Sequence, residues 1–147
     1  MPTAVLVDVA TATPRTRRLR LALPAGPFVF RAGQAIYAGL VGAAARAPYS
    51  IASSPSLGRA GILDLLVPAD GAFGQAALDP ATVIGATLDI EGPLGVLGVP
   101  EAAAGAPLLL VAGGTGIAPL RSVILDRLET PLPPATLVYS ARTPDEF

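Results

Sequence analysis

Cysteine and histidine are both missing from this chain, and all ten of its basic residues are arginine. Without thiols there is no disulfide and no iron–sulfur ligation. Without imidazole there is no Ser–His or Cys–His nucleophile, and zinc sites built from either residue are excluded. No metal site is expected, and any chemistry falls to a bound cofactor. Charge is scarce as well. Charged residues make up 14% of the chain and the net charge is −1, which leaves no electrostatic footprint for nucleic acid. The arginines cluster only between Arg15 and Arg20, where Arg18 and Arg20 alternate with Leu19, Leu21 and Leu23, the pattern of a strand with one solvated face. No apolar run is long enough to span a bilayer. Residues 1–13 lack a basic start ahead of an apolar stretch, so no secretory signal is expected and the cytoplasm is the expected compartment.

What the chain does contain is apolar text. At 52% of 147 residues, it suffices for a substantial core in one domain, or in a small domain plus part of another. Before residue 100 the text is strand-like, with segments at 4–13, 16–23, 34–41, 49–53, 61–67 and 87–91. Turn residues break it at 24–27, 54–58, 70–71 and 92–93. That spacing predicts an antiparallel barrel or sandwich, with one short helix at 73–78 ended by Asp79-Pro80. The grammar changes at Pro107: an apolar run at 108–111, helical spacing of Ile117, Leu120, Ile124 and Leu128, then a strand at 135–141. Strand, helix, strand is the βαβ unit of a parallel sheet, and 100–107 is the expected boundary. Thr143-Pro144-Asp145-Glu146 reads as the start of a further helix. Two parallel strands and one helix leave a sheet face and an edge uncovered. The second domain is therefore expected to be incomplete, as a fragment or as a unit that a partner chain or self-association completes.

The most informative stretch is LLLVAGGTGIAP at 108–119. Gly113, Gly114 and Gly116 permit a tight turn between a buried strand and a helix, so backbone N–H groups and the helix dipole point at an anion. It is not a G-x-G-x-x-G fingerprint, because Pro119 stands at the third glycine, and no Lys-Ser or Lys-Thr follows to make a Walker A loop.

Four motifs occur in fixed order: AGQ at 32–34, APYSIASSP at 47–55, GPLG at 92–95 and AGGTGIAP at 112–119, followed by YSAR at 139–142. Together they resemble the ferredoxin–NADP reductase superfamily. The resemblance implies a β plus α/β architecture. An antiparallel flavin-binding β-barrel would occupy 1–100, and 107–147 would be the first part of an NAD(P)-binding α/β domain with a parallel sheet. It implies electron flow from NAD(P)H through a flavin to an unidentified acceptor, such as a redox protein. FAD is the favoured flavin, with FMN or none as alternatives. By resemblance Tyr49 packs on the flavin, while Ser50 and the backbone of Ile51 and Ala52 hydrogen-bond its ring. Gly113, Gly114, Thr115, Gly116 and Pro119 receive the nicotinamide cofactor's pyrophosphate, with Thr115 near the nicotinamide. Ser50 and Thr115 are thus the expected catalytic positions. Arg142 would approach the adenosine side and favours NADP over NAD.

Two departures stand out. The family's phosphate-binding arginine corresponds to Ala47, with Arg46 one place earlier and so turned to the opposite face of a strand. The flavin-phosphate turn reads Gly71-Ala72-Phe73-Gly74 followed by Gln75, lacking the usual hydroxyl residue, and Leu66 and Val67 before it lack the usual basic one. A catalytically silent flavin or nucleotide module, or an electron-transfer subunit that needs a partner chain, are the alternative functions.

Overall fold

The computed structural model describes residues 2–43, 46–71, 74–75 and 83–147. Six strands, β1 (Thr3–Thr13), β2 (Thr16–Ala22), β3 (Ala35–Leu40), β4 (Ala47–Ser50), β5 (Ile62–Pro68) and β6 (Thr87–Leu94), form one antiparallel sheet in the order β4-β3-β6-β1-β2-β5. Its two edges meet. Ile51, directly after β4, bridges Leu65 of β5, and the Ala52 N–H donates to the Asp64 carbonyl at 2.8 Å. The sheet is a closed barrel, which removes the exposed edges that a sandwich would leave.

Alternation puts the core inside. Leu19 and Leu21 of β2 are fully buried and pair with Leu65 and Leu63 of β5. Leu6, Ile36, Ile51, Leu88 and Ile90 join them in the interior. Each such side chain contributes about 1.5–3 kcal/mol of burial before entropy is counted. The outward arginines are paired rather than simply solvated: Arg18 reaches Asp8 at 2.7 Å and Arg20 reaches Asp64 at 2.8 Å.

Two expected breaks are structured. β6 runs through Gly92-Pro93 to Leu94, with Gly92 at φ +149° and its missing Cβ leaving room for Ile36. Residues expected as a loop form α1 (Pro55–Arg59), capped by Ser54, whose Oγ accepts the Leu57 N–H at 3.4 Å. Ser followed by Pro at the first helical position is a start signal legible in the sequence. Of the helix expected at 73–78, only Gly74 and Gln75 lie within the described residues, and both are helical. The AGQ and GPLG motifs make one clamp, in which the Gln34 side chain accepts the Arg31 N–H at 2.8 Å and donates to the Gly95 carbonyl at 3.2 Å.

Beyond the barrel, β7 (Leu108–Gly113) pairs in parallel with β8 (Ala135–Ser140). A 3-10 turn at Gly114–Gly116 and helix α2 (Ile117–Leu128) connect them, as the βαβ reading requires. The helix buries a different face from the one its apolar spacing suggests: Ala118, Pro119, Ser122, Val123 and Arg127 are buried, while Leu128 is 76% exposed. Small residues allow close approach there. Arg127 satisfies the facing carbonyls of Ala104, Ala106 and Pro133. Leu109 and Val111 of β7 are also exposed.

Candidate functional site: the glycine turn and the barrel strand facing it

The glycine turn is built as its sequence suggests. Gly113 ends β7 in extended backbone, and Gly114 takes φ +52°, a conformation favouring glycine. A Cβ at Gly114 or Gly116 would meet nothing within 4 Å, so these glycines keep the outer surface of the turn clear. The Ile117 N–H donates back to the Gly114 carbonyl within the 3-10 turn, and the turn lies at the positive end of the α2 dipole. Pro119 does not share this surface, since it is buried in the helix face. Tyr139, the tyrosine of YSAR, donates from its hydroxyl to the Gly114 carbonyl at 3.2 Å and packs edge-on to Phe147. It braces the turn, a role its sequence position did not reveal.

A cleft of about 480 Å³ runs from this turn to the barrel. Gly113, Gly114, Thr115 and Arg142 line one side, and Arg15, Pro68 and Asp70 line the other. Thr115 and Arg142, 27 positions apart in sequence, thus share one cavity because parallel β7 and β8 end together. Buried Glu146 closes an end: its carboxylate lies 3.0 Å from Arg15 Nε and accepts the Arg142 N–H at 3.0 Å. The expected helix start here is a single 3-10 turn at Pro144–Glu146, without a side-chain cap from Thr143.

On the barrel, Tyr49 lies opposite Ile36 and Ser50 opposite Ala35, both half-buried. The Tyr49 ring packs against the core, and burial pushes its phenol pKa above the ordinary tyrosine value. Ile51 and Ala52 are fully buried. Their N–H groups donate to the Gln34 and Asp64 carbonyls, the first extending the β3–β4 pairing and the second closing the barrel. Val67 points into the core, whereas Leu66 is half-buried on the other face of β5. Arg46 forms an ion pair with Glu91 at 3.0 Å. Glu91 and Pro48 both pair with Tyr37, which places Arg46 on the face opposite Tyr49, as the one-residue offset demands.

The Gly71–Gln75 turn is closed by its own bonds: Gln75 N–H to the Gly71 carbonyl at 2.8 Å and Gly71 N–H to the Pro68 carbonyl at 3.2 Å. A Cβ on Gly74 would collide with the Pro68 carbonyl and stand 2.6 Å from Ala69 Cα, so a side chain there would have to displace backbone. Phe73 lies outside the described residues. Positive charge comes from elsewhere: Arg15 and Arg17 of the β1–β2 hairpin line a smaller cleft with Gln75. The hairpin and this turn are far apart in sequence, so only folding brings them together.

One further group was invisible in the sequence. Asp64 is buried on β5 and receives Arg20 through Nε at 2.8 Å and Nη2 at 3.0 Å. That hydrogen bond, and then the charge of Asp64, raise the Arg20 pKa. Arg121 of α2 comes within 3.8 Å of the same carboxylate and donates to the Ala52 carbonyl at 2.6 Å. Among the described residues no three acidic, histidine or cysteine side chains gather as a metal site, and no helix is long and apolar enough to cross a membrane.

No protein-family model matches the chain. It is 35% identical over 145 residues to the terephthalate 1,2-dioxygenase reductase component 2 of Comamonas sp., covering 97% of this chain and 42% of that protein. It is 34% identical over 120 residues to the aromatic O-demethylase reductase subunit of Amycolatopsis sp., covering 80% and 36%. Its fold matches an Amycolatopsis cytochrome P450 reductase with a TM-score of 0.83 at 29% identity, over 99% of this chain and 44% of that one. The chain belongs to the ferredoxin–NADP reductase superfamily. A second reductase of this superfamily fold, phthalate dioxygenase reductase, gives a TM-score of 0.82 at 21% identity, over 98% of this chain and 44% of that one. The chain spans about two fifths of the length of these relatives. In ferredoxin–NADP reductase terms, the described residues hold the barrel and the glycine turn that faces it.

Proposed function

We propose that residues 1–100 are the flavin-binding barrel, and 107–147 the first part of the NAD(P)-binding domain, of an NAD(P)H-dependent reductase that passes electrons through FAD to a redox partner. The observation that carries this reading is the clear-surfaced glycine turn, with Arg142 beside it, opening on a cleft whose other wall is the barrel. The residues fit the cofactors. Tyr49 offers a half-buried aromatic ring, Ser50, one residue on, turns its hydroxyl to the other face of β4, and the Gly113–Gly116 backbone offers donors to a pyrophosphate. Bound flavin supplies two-electron acceptance from reduced nicotinamide and single-electron release. The protein's own part is placement: Ser50 and Thr115 would face the reacting rings, Tyr139 fixes the turn, and Arg142 favours the 2′-phosphate of NADP over NAD. Arg15 and Arg17 supply charge beside the flavin-phosphate turn in place of Arg46. The acceptor is a protein, by likeness to the reductase components of the Comamonas and Amycolatopsis systems.

Yellow protein that bleaches with NADPH under anaerobic conditions is the expected result. Protein that takes up neither FAD nor FMN on reconstitution overturns it. Tyr49→Ala and Ser50→Ala are each expected to lower flavin content or shift the flavin spectrum; unchanged content and spectra in both would remove this strand from the site. Gly114→Val forces a β-branched residue into φ +52°. At about 1–2 kcal/mol, it should weaken NADPH binding about five- to thirtyfold with flavin content intact, as titration calorimetry would measure. The engagement of Arg46 with Glu91 favours one second reading, a nucleotide module without flavin. Its signature is colourless protein that still binds NADPH.

A further inference from the structure

We infer that Arg121 is a positioning residue that sets the glycine turn against the barrel seam just beyond Ser50. Arg121 lies one helical turn inside α2, which begins at Ile117, immediately after the glycine turn. Its Nη1 donates to the Ala52 carbonyl, two residues beyond Ser50, at 2.6 Å. The same guanidinium faces Asp64, which Arg20 holds from the barrel side, so one buried carboxylate is shared between the barrel and the helix. The anchor is rigid. Asp64 and Ala52 flank the seam where the barrel closes, and Ile51, Ala52 and Leu63 are fully buried around it.

A second contact lies at the other end of α2, where the Ser56 hydroxyl donates to Glu129 at 2.7 Å. It is about 12 Å further along the helix axis, so two points fix the direction of α2. That second contact is exposed, and exposed polar contacts contribute little. Arg121 is closer to the turn, and its planar fork can serve a carbonyl and a carboxylate together, which a lysine does less well. Neither acceptor belongs to a cofactor, so loss of Arg121 leaves each half-site intact and alters only their separation. The consequence for electron transfer rests on the flavin reading above; the geometric role does not.

Because the chain has no cysteine, a spin-label pair can be introduced cleanly at exposed Thr11 of β1 and Thr136 of β8. The parent should give one narrow interlabel distance distribution. Arg121→Leu should broaden it at least twofold or shift its maximum, and Arg121→Lys should restore most of the parent shape. In the unlabelled Leu variant, flavin content and NADPH affinity should stay within twofold of the parent. Its rate of flavin reduction at saturating NADPH should fall at least tenfold, with partial recovery in the Lys variant. Arg121→Gln serves the same comparison if the Leu variant does not fold. Superimposable distributions for the parent and the Leu or Gln variant overturn the inference. A distance change in a protein that binds no flavin overturns the reductase reading and leaves the positioning role standing.

Discussion

Gly74→Ser is expected to lower flavin affinity by tenfold or more, although it installs the hydroxyl that the superfamily usually carries in this turn. The reason is the close approach of backbone. A Cβ built on Gly74 collides with the Pro68 carbonyl and lies 2.6 Å from Ala69 Cα, and neither neighbour is a side chain able to swing away. The turn would have to move off the end of β5, breaking the Gln75–Gly71 hydrogen bond. Overpacking of this kind costs about 1–3 kcal/mol, and each 1.4 kcal/mol is about tenfold in affinity. Fluorescence titration of deflavinated protein with FAD measures it. Tighter binding by the serine variant would mean that the missing hydroxyl, and not the packing of the turn, limits flavin affinity here.

Arg127→Leu is expected to cost about 2–4 kcal/mol of folding stability, whereas Leu128→Ala next to it should change stability by less than about 0.5 kcal/mol. On the helix pattern the opposite order is expected, because Leu128 continues an apolar stripe and Arg127 looks like a solvent residue. In the fold Arg127 is 7% exposed and Leu128 is 76% exposed. The guanidinium donates to the carbonyls of Ala104 at 3.2 Å, Ala106 at 2.9 Å and Pro133 at 2.8 Å. It ties the segment leading into β7 and the segment leading into β8 to one helix. Leucine fills part of the volume but leaves three carbonyls without their charged donor, and such hydrogen bonds contribute about 1.5–3 kcal/mol each without full additivity. Urea denaturation of both variants decides it. A smaller loss for Arg127→Leu than for Leu128→Ala would sink the assignment.

Much of the architecture was legible in local text. Leu19 and Leu21 alternating with Arg18 and Arg20 announced an inward and an outward face, and the structure buries the leucines while leaving the arginines half-buried in ion pairs on the other face. The βαβ segment was equally plain, since a continuous apolar strand, three glycines and a helix are all short-range signals. The site was legible in part. Gly114 takes the positive φ that its place in the motif suggests, and Arg46 lies on the wrong face because strand parity decides faces. Less readable were the residues whose backbone donors are consumed elsewhere. Nothing around Ala52 says that its N–H group closes a barrel, because the partner, Asp64, comes from β5.

The sequence by itself determined the order of the strands, the inward face of β2, the glycine turn and the absence of any thiol or imidazole chemistry. These follow from periodicity, φ preferences and composition, which are properties of neighbouring residues. Only the tertiary structure decided that the sheet closes, that α2 buries Arg127 instead of Leu128, that Gly74 has no room for a side chain, and that Arg121 and Arg20 share Asp64. Each of these depends on which distant backbone arrives at a given atom. Hydrogen-bond partners and steric limits of that kind are set by packing across the barrel seam and the helix interface, where residues far apart in the chain come within about 3 Å.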